Sequence, residues 1–269
     1  MSLWGIWGRP YLDLTSVLDT APLAAIDEEI QGALPHLAPG WTGGTLQWMN
    51  VVAPWQRDDP HRDAMDAVRS MSREERRAFV AMNPDVPPLE EGDDDAPLGD
   101  ETDRPFNHAQ CVHLAERYGA YFPWKTCVHL VENDRWEDKH SGAGKRFSDE
   151  CERWLPRTVA YVRALPFREI GRAVLFGVHA GDHAPFHRDA EPGRELSIAQ
   201  SISIDPRGDK GLVLRGPDGG DRVLVKAKLY WFNDMDYHGV EARDRFRYSL
   251  RVDGVFQPEF ARRLRRAFG

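Results

Sequence analysis

The chain reads as a mainly β fold with a helical N-terminal part, a double-stranded β-helix (jelly roll) buttressed by helices. The first reason is a series of eight short strand-like segments after Glu169: Gly171 to Ala180, Pro185 to Asp189, Glu195 to Ile204, Gly211 to Arg215, Arg222 to Lys226, Lys228 to Asn233, Tyr237 to Ala242 and Phe246 to Phe256. The second is what separates them, Gly, Pro and Asp turns such as Gly216-Pro217-Asp218-Gly219-Gly220-Asp221, the punctuation of an antiparallel sandwich or barrel. The third is alternation: Leu196, Ile198, Ile202 and Ile204 interleave with Ser197, Ala199, Ser201 and Ser203. One face of that segment is therefore apolar, and the other is small and polar with room for a ligand.

Before this region, residues 1–165 read as helical and irregular, with helices expected near Ala24 to Leu34, Arg62 to Met82 and Ser148 to Leu165. In the third, Asp149, Glu150 and Glu152 near the start and Arg157 and Arg163 towards the end suit the helix dipole. Trp154, Leu155, Val159, Tyr161, Val162 and Leu165 supply its packing face, and Pro156 should kink it or divide it in two. Glu90 to Asp103, with eight acidic residues, is a solvated loop or, in a sharper reading, an acidic lid for a basic substrate. Most of the nine Trp should be core, and Trp124-Lys125-Thr126 is a candidate pocket wall. The whole of 1–269 is expected to be a single domain, with a jelly-roll core over 168–258 and a basic tail over 259–269. In that tail Arg262, Arg263, Arg265 and Arg266 look like the last turns of a helix.

Composition removes several classes of function. At 269 residues the chain can bury a substantial core, and it has no apolar run near the length of a membrane span and no basic-then-apolar leader. A soluble, cytoplasmic protein without a membrane partner is the expectation. Cys111, Cys127 and Cys151 lack paired spacing, so they read as reduced, packing thiols. A net charge of −8 argues against nucleic acid as a partner.

The chemistry is concentrated in His187-Arg188-Asp189, a later His238, and Arg247-Tyr248-Ser249. Side chains at i and i+2 of a strand share a face, so His187 and Asp189 can reach one ion and His238 can join them from a neighbouring strand. Two imidazoles and one carboxylate on one face of Fe(II) leave three positions for a chelating 2-oxo acid and dioxygen. Arg247 and Ser249 are also two apart, with Phe246, Tyr248, Leu250 and Val252 on the opposite face. A planar guanidinium suits the distal carboxylate of 2-oxoglutarate, and Ser249 adds a hydroxyl. Arg245 and Arg251 compete for the same role.

The letters His-Arg-Asp are weak alone, because His61-Arg62-Asp63 repeats them at an expected helix start. His61 is read as a surface residue. Neither copy has the Asn, glycine-rich loop or Asp-Phe-Gly of a kinase, and Gly142-Ala143-Gly144-Lys145 lacks the rest of a phosphate loop. His179, His183 and His187 are spaced as on one helix face, but Gly177, Gly181 and Pro185 make the stretch a strand, a turn and a strand. His179 and His183 are accordingly structural, or neighbours of the site.

Taken together, Gly181 to His187, Trp231 to His238 and Arg247 to Asp253 resemble the Fe(II)/2-oxoglutarate dioxygenases, a cupin-like fold, and look most like the aspartyl/asparaginyl β-hydroxylase branch. The likeness covers roughly Ala173 to Phe256. It implies that His187 and His238 bind the metal and that Arg247 binds the cosubstrate. Asp189 departs from animal members of that branch, which lack the carboxylate, and it argues against halogenases, which need that position vacant. Jumonji-type relatives usually hold the cosubstrate with Lys, so Arg247 speaks against them. The resemblance implies hydroxylation, with dioxygen, of a β-carbon in an amino-acid side chain of a peptide or protein. A free amino acid or a small natural product is the alternative substrate. From another class, the chain could be a cupin-like metal-binding module without oxygenase activity.

Overall fold

The computed structural model describes residues 3–37, 64–84, 106–118, 126–132, 138–181, 183–190, 193 and 195–269. Its strands are β1 (Tyr11–Asp13), β2 (Thr126–His129), β3 (Phe167–Val178), β4 (Ala184–His187), β5 (Ala199–Ile204), β6 (Leu212–Arg215), β7 (Arg222–Leu224), β8 (Leu229–Phe232), β9 (Tyr237–Val240) and β10 (Arg247–Phe256). Its α-helices are α1 (Leu23–Ala33), α2 (Ala64–Arg69), α3 (Arg73–Ala81), α4 (His108–Tyr118), α5 (Asp149–Trp154), α6 (Pro156–Ala164) and α7 (Pro258–Phe268). None of the described helices is long and apolar enough to cross a membrane.

The strands form two antiparallel sheets, ordered β1-β8-β5-β10-β3-β2 and β4-β9-β6-β7. From β3 to β10 the pairing is nested, first strand with last and second with next to last, and this is the strand order of a jelly roll. Each of the eight segments expected from the sequence overlaps one of these strands, although β3 begins at Phe167, before Gly171, and β4 at Ala184, before Pro185.

Pleating explains which side of β10 faces which layer. Tyr248, Leu250 and Val252 join Ala173, Leu175, Ile202 and Ile204 in one buried cluster with Ile26 and Ile30 of α1 and Val159 and Val162 of α6, so the helices cover the outer face of the six-stranded sheet. Arg247, Ser249, Arg251 and Asp253 point the other way, towards the four-stranded sheet. Apolar contacts between the sheets come from Val178, Leu212, Leu214, Tyr230, Phe232 and Val240.

Pro156 divides the expected third helix: α5 is capped by the Ser148 hydroxyl, and α6 starts at the proline itself. The exposed N–H groups of α6 are satisfied from α1, where the Glu29 carboxylate accepts from Arg157 N (2.9 Å), Thr158 N (2.7 Å) and Thr158 Oγ1 (2.7 Å).

Several expectations need correction. The run Arg62 to Met82 is two helices, because Ser72 leaves the helical conformation to form a capping box with Glu75. Leu196 and Ile198 are exposed rather than core; the strand begins at Ala199, and its apolar face is Ile202 and Ile204. Trp4 is 51% exposed, whereas Trp7 packs edge-on against Trp231. The basic tail is helical as expected, forming α7, which is seated through Phe260 and Leu264. Cys127 and Cys151 are also as expected, buried and free, and burial pushes the Cys127 thiol up to about 12. The loop Glu90 to Asp103, His61, Trp41, Trp48, Trp55, Trp124 and Lys125 lie outside the described residues.

Candidate metal centre and the cationic pocket beside it

β4 and β9 are antiparallel neighbours with a register shift between Ala184 and His187, and His187 lies directly across from His238. The close approach is possible because Gly239 has no Cβ; one would sit 2.8 Å from Ala184 O and 3.1 Å from the Phe186 ring. β4 ends at His187, so Asp189 lies just beyond the strand instead of on its ladder. Its place is fixed by a backbone bond, Asp189 N to Asp234 O (2.9 Å), which ties it to the loop that leads into β9.

The three predicted ligands converge. His187 Nε2 is 3.6 Å from Asp189 Oδ1, His238 Nε2 is 3.7 Å from Asp189 Oδ2, and one ligand atom from each residue lies within 4.8 Å of the others. Among the described residues this is the sole cluster of three or more His, Cys, Asp or Glu groups with that geometry, and all three are buried. Burial first, and the neighbouring His187 next, push the His238 imidazole down to about 3, so it is neutral at neutral pH. Its Nδ1 lies 3.1 Å from the carbonyl of Asp236, which only accepts, so Nδ1 carries the proton and Nε2 presents its lone pair to the cluster. Burial alone would raise the Asp189 carboxyl, but Arg251, with His238 and His187, holds it well below the usual carboxylate range. A carboxylate and imidazole nitrogens at mutual spacings that one ion can bridge are a fitting donor set for Fe(II).

Behind the triad, the inner face of β10 is polar from Arg247 to Asp253, with Ser249 as its one uncharged member. Arg251 donates to Asp189 Oδ2 (2.7 Å), Asp253 Oδ1 (2.8 Å) and Ser201 Oγ (3.1 Å), and Asp253 is held on its other oxygen by Arg172 Nε (2.8 Å). Arg247 is fully buried and donates from Nη1 to Lys210 O (2.8 Å). Lys210 returns across the same space, its ammonium donating to Ser249 Oγ and lying 5.6 Å from the Phe176 ring centre. The turn that delivers it is folded around Asp205, whose carboxylate accepts from Gly208 N (2.9 Å), Asp209 N (3.3 Å) and Lys210 N (3.0 Å). Burial pushes the Lys210 ammonium down to about 7.

Arg247 and Ser249 therefore share a pocket wall as the two-residue spacing predicts. The rivals separate: Arg245 is about half exposed and pairs with Asp209 (3.3 Å), while Arg251 is committed to Asp189 and Asp253. Sequence reasoning missed Lys210, because a lysine in Asp205-Pro206-Arg207-Gly208-Asp209-Lys210 has the composition of a solvent-facing turn. A Lys beside Arg247 also removes Arg-for-Lys as a way to separate this chain from Jumonji-type proteins. Asp253 was readable, since it continues the same-face series Arg247, Ser249, Arg251.

Lys139 was missed too. The segment Asp138 to Ser141 presses against Gly171, where a Cβ would stand 2.5 Å from Lys139 O, and this aims Lys139 inwards to 3.8 Å from Asp234 Oδ2. Burial pushes its ammonium down to about 8. His179 and His183 do not join the triad: the strand turns at Gly181 (φ +79°), and His179 meets the Phe246 ring edge-on at 5.4 Å.

No family model matches the chain, and neither does any curated protein. Several solved structures resemble it in part. A 2OG-Fe(II) oxygenase family oxidoreductase from Burkholderia pseudomallei is 16% identical, over 47% of this chain and 66% of that one, with a TM-score of 0.31. A Pseudomonas putida prolyl-4-hydroxylase is 17% identical over 41% and 68%, with a TM-score of 0.26. A cupin domain from Bordetella pertussis is 10% identical over 30% and 78%, with a TM-score of 0.22. The alignments span less than half of this chain, and the jelly-roll assignment rests on its own strand order.

Proposed function

We propose that this protein is an Fe(II)- and 2-oxoglutarate-dependent oxygenase that hydroxylates an unactivated C–H bond. The observation that carries the reading is the buried cluster of His187, Asp189 and His238 next to a wall that holds Lys210, Arg247 and Ser249. The triad would hold the metal. When bound, Fe(II) supplies the activation of dioxygen that decarboxylation of the 2-oxo acid drives.

The chain's own residues would do the positioning. Lys210 and Arg247 are two buried cations, and the nearby carboxylate, Asp205, already accepts three backbone N–H bonds. The far end of a dicarboxylate would be received by Arg247, Lys210 and the Ser249 hydroxyl. Arg251 would keep Asp189 ionised and turned towards the ion.

The substrate is proposed to be amino-acid-like, with the β-carbon of a side chain in a peptide or protein as the first candidate. This class rests on the resemblance of Gly181 to His187, Trp231 to His238 and Arg247 to Asp253 to the β-hydroxylase branch. A free amino acid is the second candidate.

The test is anaerobic absorbance on adding Fe(II) and then 2-oxoglutarate. A metal-to-ligand charge-transfer band is expected, absent in His238→Ala and weakened in Arg247→Ala. Tight metal binding with no band would replace the oxygenase by a metal-binding module of the same fold.

A further inference from the structure

The loop Asn233 to Asp236 touches both the metal ligands and the first described residues of the chain, and the two sets of contacts meet at Asp236. Its carboxylate accepts from Trp4 N at Oδ1 (2.7 Å) and from Gly5 N at Oδ2 (2.9 Å), while its carbonyl accepts the Nδ1 proton of His238 (3.1 Å). Asn233 completes the clasp: its amide donates to Gly5 O (2.9 Å), and its side-chain oxygen accepts from Met235 N (3.1 Å). The next residue, Asp234, accepts from Asp189 N and Ala190 N (2.9 and 3.2 Å).

The segment that grips this loop is itself braced by a tight turn and by burial. Ile6 and Arg9 exchange backbone bonds (2.7 and 3.0 Å), Gly5 is left-handed (φ +58°), and a Cβ there would overlap Arg9 O at 2.3 Å. Ile6 is fully buried, Trp7 stacks edge-on against Trp231, and β1 then pairs with β8, the strand that enters the same loop.

We infer that Asp236 is a positioning residue of the metal centre: by clamping Trp4 and Gly5 it fixes the carbonyl that orients His238, which makes the segment Leu3 to Arg9 part of the metal-binding apparatus. The inference rests on the triad being a metal site. A carboxylate is required because both partners are N–H donors and each needs its own acceptor oxygen. Asn would turn one NH₂ against an N–H, and Ala would leave both donors without their acceptor. Either change frees the loop to rotate the Asp236 carbonyl away from Nδ1. The His238 ring then loses both its fixed tautomer and its direction.

The test is titration of the full-length metal-free protein with Co(II), followed by its d–d absorbance, for the parent, Asp236→Asn, Asp236→Ala and Leu12→Ala. Leu12 is a fully buried apolar residue of β1, opposite Trp231 in the sheet, and has no side-chain group that could hydrogen-bond to the clamp, so its truncation loosens the same region and leaves the Asp236 hydrogen bonds in place. The expected result is a loss of Co(II) affinity of roughly ten- to a hundredfold in both Asp236 variants, with an altered d–d spectrum. Leu12→Ala should melt at a lower temperature yet keep the parent affinity and spectrum. Parent-like affinity in Asp236→Asn overturns the inference, and so does an equal loss in Leu12→Ala. If the parent binds no Co(II), the metal-centre reading fails, and this one with it.

Discussion

Arg251 Nη1 stands 2.7 Å from Asp189 Oδ2, while Nε of the same guanidinium stands 2.8 Å from Asp253 Oδ1. One buried cation thus serves a carboxylate of the triad and a carboxylate of the sheet interior. Burial would raise the Asp253 carboxyl, but Arg172 and Arg251 hold it far below its ordinary range. Arg251→Met should remove the arginine that pairs with Asp189, leave Asp253 with Arg172 and without Arg251, and cost about 3–5 kcal/mol in the metal-free protein. Urea denaturation with and without added Co(II) measures this, and the deficit should shrink when the ion supplies the missing positive charge. An unchanged midpoint in the metal-free variant would show that Arg251 is not what neutralises the pair.

On the proposed function, Lys210 should make affinity for 2-oxoglutarate depend on pH. Its ammonium is pushed down to about 7 in the free pocket, against about 10.4 in an unfolded chain. The charged form is the one that attracts a dicarboxylate, so affinity for 2-oxoglutarate should be full below about 7 and weaken as pH rises through it. The stability of the ligand-free protein should move the other way, rising between about 7 and 10.4, where the unfolded chain binds the proton that the folded pocket has lost. Binding titrations from pH 6 to 9 on the parent and Lys210→Met check the first statement: the bend near 7 should vanish in the variant.

Gly239→Ala tests the close packing of β4 on β9. The added methyl would press on Ala184 O and the Phe186 ring, displacing the strand that ends in His187. Overpacking of this kind costs about 1–3 kcal/mol, and metal affinity should fall with it. Parent-like Co(II) binding together with a lowered melting temperature would show that β4 moves without carrying His187 away.

Glu29→Ala provides a contrast far from the site. Loss of the acceptor for Arg157 N and Thr158 N at the start of α6 should cost about 1–2 kcal/mol of stability, as other capping losses do. The absorbance changes on adding Co(II) and 2-oxoglutarate should match the parent. A weakened response would connect the helical layer to the metal centre.

Much of the candidate metal centre was legible because its determinants are local. Alternation along β10 separates Arg247 and Ser249 from Tyr248, Leu250 and Val252, and the spacing of His187, Asp189 and His238 places their strands on one side of a roll. Even so, the strand ends at His187, and a backbone bond from the β9 loop, invisible to periodicity, fixes Asp189.

By itself the sequence determined the jelly-roll class, the segments that carry it and the Arg-Ser pair, since each follows from a period of two and from turn chemistry a few residues long, and it picked out His187, Asp189 and His238 by residue type and order. Tertiary structure alone decided that Lys210 and Lys139 turn inwards, that Arg251 serves Asp189 while Arg245 faces outwards, and that Trp4 and Gly5 brace the loop before His238. Those contacts join residues far apart in the chain. Polar side chains at such positions carry no local signature of burial, because what makes the burial tolerable is the opposite charge or hydrogen-bond partner that only the folded chain brings to them.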